Sequence, residues 1–346
     1  MRCRLALVAL LLPSMFALSA CATDDATTAR VIVPAGASLR VAADSLAQAG
    51  VVRSPRLFRT YAWLRGGDRR IRAGTYEFRR GDSWSTVLGM LRAGRGIVVT
   101  VTVPEGFSLS QIEPLLAEKL GVPEDSVKTA ASDTALLARL DLPTPTLEGY
   151  LFPDTYTFPE GTTARRAVTD MERRFEHEWK PAWTARLDTI GMSRNDVMTL
   201  ASIVEKEAKL PEERPVIAAV YMNRLKAGML LQADPTVQYS LPAHEARVLY
   251  KDLKVKSPYN TYKHPGLPPG PIASPGVASI EAALYPANVP YKYFVAAPDG
   301  HHEFRVDFKG HEAAVRQMRR ERAAQARKAR ASRDTGSTGR SRRTPR

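Results

Sequence analysis

The stretch from Ser193 to Pro215, SRNDVMTLASIVEKEAKLPEERP, constrains this chain more than any other segment. Ser193-x-x-Asp196 has the form of a capping box, and Val197, Leu200, Ala201, Val204 and Ala208 recur at the i, i+3, i+4 spacing of a buried helical face. Pro211 ends the helix, because its ring clashes with the preceding turn and it has no N–H to donate. Near the C-terminal end sit two carboxylates, Glu205 and Glu207, with Lys206 between them. At about 100° per residue they lie on opposite flanks of the apolar face, Glu207 somewhat nearer its centre. A carboxyl on such a border suits a general acid, whose pKa must be raised by burial. It equally suits a surface carboxylate paired with a neighbouring lysine. Periodicity does not choose between the two residues or the two roles.

The chain has 346 residues, 44% of them hydrophobic, enough for a sizeable core in two or three domains. Thr75 to Gly94 changes period from two to 3.6 at Gly81-Asp82, which predicts strand, turn and helix. The form Tyr76-x-Phe78-x-x-Gly81-Asp82-Ser83-Trp84 before that helix resembles half of a LysM glycan-binding module. Val31 to Leu39 reads as a short strand and turn, and Leu39 to Ala49 as a helix. Gly96 to Gly106 reads as a β-branched strand ended by Pro104 and Gly106. Ser108-x-x-Gln111 caps the next helix. Leu231 to Pro275 is rich in Pro, Gly, Tyr and Asn and reads as loop. Two strands flank the hairpin signal Asp299-Gly300, and a last helix follows Gly310. The expected fold class is α+β: a small LysM-like β/α lobe, then a larger mixed catalytic lobe. The expected divisions are 1–21, a signal or anchor; 22–106, the small lobe; 107–320, the catalytic domain; and 321–346, a basic tail.

The two ends carry their own signals. Arg2 and Arg4 precede an apolar run, Leu5 to Leu18, and then Leu18-Ser19-Ala20-Cys21, the layout of a secretory signal with a lipobox-like end. The other reading is an uncleaved anchor helix, since Leu5 to Ala22 nearly reaches bilayer length. Either reading puts the rest of the chain outside the cytoplasm. The two cysteines, Cys3 and Cys21, both lie in this segment, so no disulfide braces the remainder. The formal net charge is +14, yet from Arg316 onward twelve basic residues stand against two acids, which supplies +10 of it. Such a tail lacks apolar surface to bury, and disorder is expected after about Ala331. It suits an anionic membrane surface or wall polymer. The export signal argues against nucleic acid as the partner.

A series of motifs occurs in order from Leu147 onward: LEGYLFPDTY (Leu147 to Tyr156), ASIVEKEA (Ala201 to Ala208), NRLKAGMLLQADPTVQY (Asn223 to Tyr239), SPYNTY (Ser257 to Tyr262), GLPPGPIASPG (Gly266 to Gly276), YFVA (Tyr293 to Ala296), then His302-x-Phe304 and His311. The ordered set resembles the YceG-like family of bacterial endolytic murein transglycosylases. The resemblance implies that Glu205, the first glutamate of Glu-Lys-Glu, is the catalytic acid. It further implies cleavage of the MurNAc–GlcNAc bond within nascent strands to leave a 1,6-anhydro-MurNAc end. Glycan strands are the implied substrate, a membrane anchor the implied attachment, inner membrane the implied location and peptidoglycan synthases the implied partners. The lipobox-like end and the Arg-rich tail depart from the family pattern.

Other residues have the chemistry of a glycan cleft. Gln232, Tyr259, Asn260 and Tyr262 offer flat rings for pyranose faces and amides for N-acetyl groups. Glu148 and Asp154, set beside Tyr150 and Tyr156, stand equally for hydrogen-bonding sugar hydroxyls and for a turn network. Asp234 before Pro235 serves equally to orient substrate or to make a turn, and Glu207 reads as a supporting partner of Glu205. No H-E-x-x-H pair is present, so no metal is expected, and no cofactor. GMSR is no nucleophile elbow. The competing function is a non-catalytic peptidoglycan-binding lipoprotein, which the intact Glu-Lys-Glu unit disfavours.

Overall fold

A computed structural model describes residues 28–66, 71–242 and 248–338, and the chain divides into two compact units at Ile97/Val98. The signal or anchor segment expected over 1–21 lies outside the described residues. Among those described, no helix is long and apolar enough to cross a membrane.

The first unit is built on one antiparallel pair. Strand β1 (Thr28–Val33) runs against β2 (Gly74–Arg79), with Val31 opposite Tyr76. Between them in sequence come α1 (Leu39–Gln48) and α2 (Pro55–Leu64), and α3 (Trp84–Ala93) follows β2. Each helix begins at a serine whose hydroxyl accepts an N–H of the first turn: Ser38 from Val41, Ser54 from Leu57, Ser83 from Thr86. The strand–turn–helix pattern predicted over Thr75 to Gly94 is present. Ala29, Val31 and Val33 alternate inward and join Leu46, Phe58, Tyr76, Phe78 and Leu91 in a core of this unit's own.

The strand predicted over Gly96 to Gly106 is β3 (Val98–Thr102), and it belongs to the second unit rather than the first. The boundary expected at residue 106 therefore falls at 97. Its hydrogen-bonding partner explains the difference, because β3 pairs with β4 (Thr155–Pro159), far along the chain, and a strand belongs where its ladder is. Between the two strands lie α4 (Leu109–Leu120), α5 (Glu124–Ala131) and α6 (Thr134–Arg139). After β4 come α7 (Ala164–Glu178), α8 (Pro181–Ile190), α9 (Arg194–Glu207), α10 (Arg214–Lys226), α11 (Asp234–Tyr239) and α12 (Val277–Leu284). The hairpin β5 (Tyr293–Ala296) and β6 (His302–Arg305) and a last helix, α13 (Phe308–Thr338), complete it.

Helix α9 is the central element. Its capping box is formed as expected, Ser193 with Asp196, and every residue from Val197 to Val204 is buried. A helix buried all round needs neighbours on several sides, and α10, α11 and α12 pack on it. Two polar residues in this run are satisfied locally: the Thr199 hydroxyl donates to the Asn195 carbonyl and the Ser202 hydroxyl to that of Thr199. Ser202 also accepts from the Ile272 N–H at 3.0 Å, which pins the proline-rich loop to the helix. The region expected to be loop contains α11, since Asp234-Pro235 opens a helix with proline in its first turn rather than a plain turn.

The last helix extends to Thr338, past Ala331, where disorder was expected. From Arg322 to Ala331 its sequence is made of Ala, Arg, Gln and Lys, all strong helix formers, whereas from Ser332 to Thr338 only Arg333 is one, so propensity does not account for the last turns. The Arg322 guanidinium donates to the Ala296 carbonyl and ties the start of this stretch to β5.

One glycine has a strict requirement. Gly149 has φ +82°, and a Cβ there would stand 2.3 Å from Pro271 Cβ and 3.3 Å from the Ala273 carbonyl oxygen. Gly149→Ala thus combines a left-handed backbone with an overlap in packed surroundings. A loss of about 2–4 kcal/mol is expected, read as a lower denaturant midpoint at unchanged slope.

Candidate active site

The C-terminal turn of α9 places its two carboxylates in different surroundings. Glu205 is enclosed by donors. The Ser279 hydroxyl donates to Oε2 at 2.7 Å, the Gly276 N–H to the same oxygen at 3.1 Å, and the Arg214 guanidinium to Oε1 at 3.4 Å. Its side chain is 7% exposed. These bonds reach α10 and the start of α12, so Glu205 joins the two helices that flank α9. Glu105 lies beside it, close enough to Gly276 that a Cβ there would meet its carboxyl at 1.8 Å. Burial raises the Glu105 pKa and the Glu205 charge adds to the rise, against the pull of Arg214.

Glu207 faces a cavity of about 300 Å³, lined also by Tyr221, Gln232, Asp234, Tyr262, Phe294, His302 and His311. Among the described residues it accepts one hydrogen bond from protein, from the Tyr221 hydroxyl to Oε1 at 3.1 Å. Burial pushes its pKa up to about 7. The Asp234 carboxylate adds to the rise, while the Tyr221 hydrogen bond and the Arg224 charge oppose it. The carboxyl is therefore substantially protonated near neutral pH.

The wall opposite is held by a strap between two distant loops. The Gln232 N–H donates to the Thr261 carbonyl, the Ala233 N–H to the Thr261 hydroxyl, and the Thr236 and Thr261 hydroxyls bond at 2.8 Å. This pairing sets Asp234 beside Tyr262, whose hydroxyl donates to Asp234 Oδ1 at 2.5 Å. Gln232 takes φ +50°, a sparsely populated conformation for a non-glycine residue, in the wall of the cavity. Arg224 closes the back, donating to the Leu231 carbonyl at 2.7 Å and the Lys292 carbonyl at 2.6 Å. Its guanidinium also lies over the Tyr293 ring.

A second cavity, of about 490 Å³, is lined by Ser108, Gln111, Glu113, Glu148, Lys206, Pro235, Gln238 and Tyr239 among others. Lys206 and Pro235, which line it, are the chain neighbours of Glu207 and Asp234, which line the first. At its base Glu148 receives the Leu109 N–H on both oxygens, at 3.1 and 3.2 Å, and the Tyr239 hydroxyl at 3.2 Å. Burial holds its pKa up at about 7 against those bonds. The Tyr239 ring meets Tyr259 at 4.9 Å, so Tyr259 supports this rim from behind.

Of the candidates named from sequence, Glu207, Gln232, Asp234 and Tyr262 converge on one cavity, and Glu148 lines its neighbour. Three go elsewhere. Tyr150 is a core residue, its hydroxyl donating to Asn195 and its ring edge-on to Phe175. Asp154 is held by the Arg174 guanidinium at 2.7 Å and by the Thr155 N–H. Asn260 is fully buried, donating to the Leu253 and Val255 carbonyls and accepting from the Tyr262 N–H. Each is spent on packing or on local structure, which composition does not distinguish from binding. Tyr221, Arg224 and Phe294 were missed, since they lie on helix and strand faces that read as core. Among the described residues, no three of His, Cys, Asp and Glu converge as a metal ligand set would.

The model of the YceG-like family matches residues 31–317. An endolytic murein transglycosylase of Bacillus subtilis (strain 168) is 34% identical over 306 residues, covering 84% of this chain and 85% of that protein. An endolytic murein transglycosylase of Streptococcus pneumoniae (strain D39) is 28% identical over 76% of this chain and 53% of its own length. A crystal structure of a YceG-like protein from Listeria monocytogenes superposes with a TM-score of 0.58 at 32% identity, covering 83% of this chain and 99% of that one. The ordered motifs, the matched span and the shared fold agree: the chain belongs to the YceG-like family.

Proposed function

We propose that this protein is an endolytic lytic transglycosylase of peptidoglycan and that Glu207, rather than Glu205, is its catalytic acid. The observation that carries this reading is a carboxyl raised to about 7 by burial, facing a cavity, with one protein hydrogen bond. Glu205, the residue the resemblance implied, lines neither cavity and has its oxygens taken by Ser279, Gly276 and Arg214. Its geometry is that of a joint between helices.

The chemistry needs one such group. Protonated Glu207 gives its proton to the glycosidic oxygen as the bond from C1 of the MurNAc residue breaks. The C6 hydroxyl of the same sugar attacks C1, and its proton passes to the Glu207 carboxylate. The acid is restored, a 1,6-anhydro end is formed and no water is consumed, so a dry cavity favours the outcome. Most glycosidases need a second carboxylate as base or nucleophile. Asp234, bonded to Tyr262, stands on the cavity wall and raises the Glu207 pKa instead. Cleavage within strands would end their elongation, which makes peptidoglycan synthases the fitting partners. The β–α–α–β order of the first unit supports its reading as a LysM-like glycan-binding lobe. Attachment through Cys21 or an anchor helix would hold the enzyme at the membrane, on the side where strands are made.

Glu207→Gln is expected to keep the fold and lower the rate by about a hundredfold or more, the usual loss for a general acid. The assay is release of anhydro-ended muropeptides from purified wall. Glu205→Gln is expected to lower the melting temperature, because the amide cannot satisfy Arg214, while anhydro product still forms. An inactive Glu205→Gln beside an active Glu207→Gln reverses the assignment.

The pH dependence has a definite sign. The acid must be protonated, so kcat should fall as pH rises through about 7. Folding follows the same direction. The native carboxyl holds its proton from its ordinary pKa of 4.5 up to about 7 while the unfolded one does not, so stability is lost as pH rises across that window. Glu148, also raised to about 7, contributes in the same sense. Glu207→Gln should reduce that slope without removing it, as read from denaturant midpoints at pH 4.5 and 8.

A further inference from the structure

The wall of the Glu207 cavity holds a histidine that the proton transfers above leave unused. His302 opens β6, and one carboxylate grips it twice. Its backbone N–H donates to Glu213 Oε1 at 2.7 Å and its ring Nδ1–H to Oε2 at 2.6 Å. Both side chains are nearly inaccessible, 4% exposed for His302 and 11% for Glu213. An ionised carboxylate only accepts, so Nδ1 carries the proton and, in the neutral ring, Nε2 keeps its lone pair. Among the described residues no hydrogen bond occupies Nε2, and the ring lines the cavity. The ring stands edge-on to Phe294 at 5.2 Å, and Phe294 edge-on to Tyr221 at 5.9 Å, the residue that donates to Glu207. Glu213 closes the turn between α9 and α10, so the grip is fixed to the helix that carries the acid.

We propose that His302 touches the bound glycan: its Nε2 accepts a hydrogen bond from a hydroxyl of the sugar whose glycosidic oxygen Glu207 protonates. Glu213 is the positioning residue that sets the tautomer. A buried imidazole with one nitrogen fixed on a carboxylate and the other left to a polar cavity is an oriented acceptor, and a sugar hydroxyl is the donor such a cavity would receive. Packing alone would not require a ring with a second nitrogen here. The inference rests on the reading of this cavity as the cleavage site.

Two amides separate the roles of the two nitrogens. In His302→Asn the side-chain amide reaches the Nδ1 position and keeps the bond to Glu213, with no atom at Nε2. In His302→Gln a carbonyl oxygen reaches the Nε2 position. On polymeric glycan strands the Asn variant should lose about tenfold or more in kcat, the size of one hydrogen bond made in the reacting complex. Its KM should stay within about twofold, and the Gln variant should recover part of the loss. A structural role alone predicts the reverse order, and wild-type kcat in the Asn variant overturns the proposal. A measurement independent of those variants uses full-length Glu207→Gln labelled uniformly with ¹⁵N and a soluble, uncross-linked glycan strand. The expected result is the Nδ1–H tautomer before addition and a shift of the Nε2 resonance at saturation. If the glycan shifts the Gln232 and Tyr262 amides but leaves Nε2 unmoved, His302 does not touch it and the cavity reading survives. If it shifts none of them, both readings fall together.

Discussion

A carboxyl keeps its proton toward neutral pH where its ionised form is poorly solvated, and in this protein a helix buried on all sides sets up that condition at Glu207. From Val197 to Val204 helix α9 has no solvent face, so its last turn emerges among packed neighbours, and Glu207 ends that turn against Tyr221 of α10. The cost of ionising it there exceeds what one hydroxyl donor returns. The rest of the second unit can be read as support for that position. The Ser202 hydroxyl fastens the proline-rich loop, Glu205 fastens α10 and α12, and the Thr236–Thr261 pair fastens the opposite wall.

On the reading proposed above, the two glutamates of one motif illustrate how little separates a structural from a chemical carboxylate. They differ by two residues and about 200° of helix. Glu205 meets a guanidinium, a hydroxyl and a backbone amide, and these satisfy it. Glu207 meets one tyrosine and a cavity. Lys206, between them, turns toward the neighbouring cavity and donates to the Gly106 carbonyl. A hydrogen-bonded charge ties elements together, whereas an under-satisfied one is available for reaction. The same contrast holds between Asn260, whose amide is consumed by its own loop, and Gln232, which is held in the cavity wall by its backbone.

Much of this was legible in the sequence. The capping box, the apolar spacing of α9, the strand–turn–helix of the first unit and the β5–β6 hairpin all follow from local rules that the fold obeys. Periodicity even placed Glu207 nearer the apolar centre than Glu205, although the motif resemblance pointed to the other. What escaped was non-local. The β3–β4 ladder moved the domain boundary, because strand partners cannot be read from one strand. Tyr150, Asp154 and Asn260 had the chemistry of binding residues, but their partners, Asn195, Arg174 and two loop carbonyls, are decided by tertiary packing. The reach of α13 to Thr338 was not legible either, because Ser332 to Thr338 has one strong helix former, Arg333, and no apolar period.

The account stands on the ionisation of one side chain, which can be observed without an assay. ¹³C NMR of the glutamate carboxyls, with Glu207→Gln to assign the resonance, gives its titration directly. The account predicts a midpoint near pH 7 for Glu207. A midpoint in the ordinary range near 4.5 would leave Glu207 ionised at neutral pH, and the cavity would have no acid to offer.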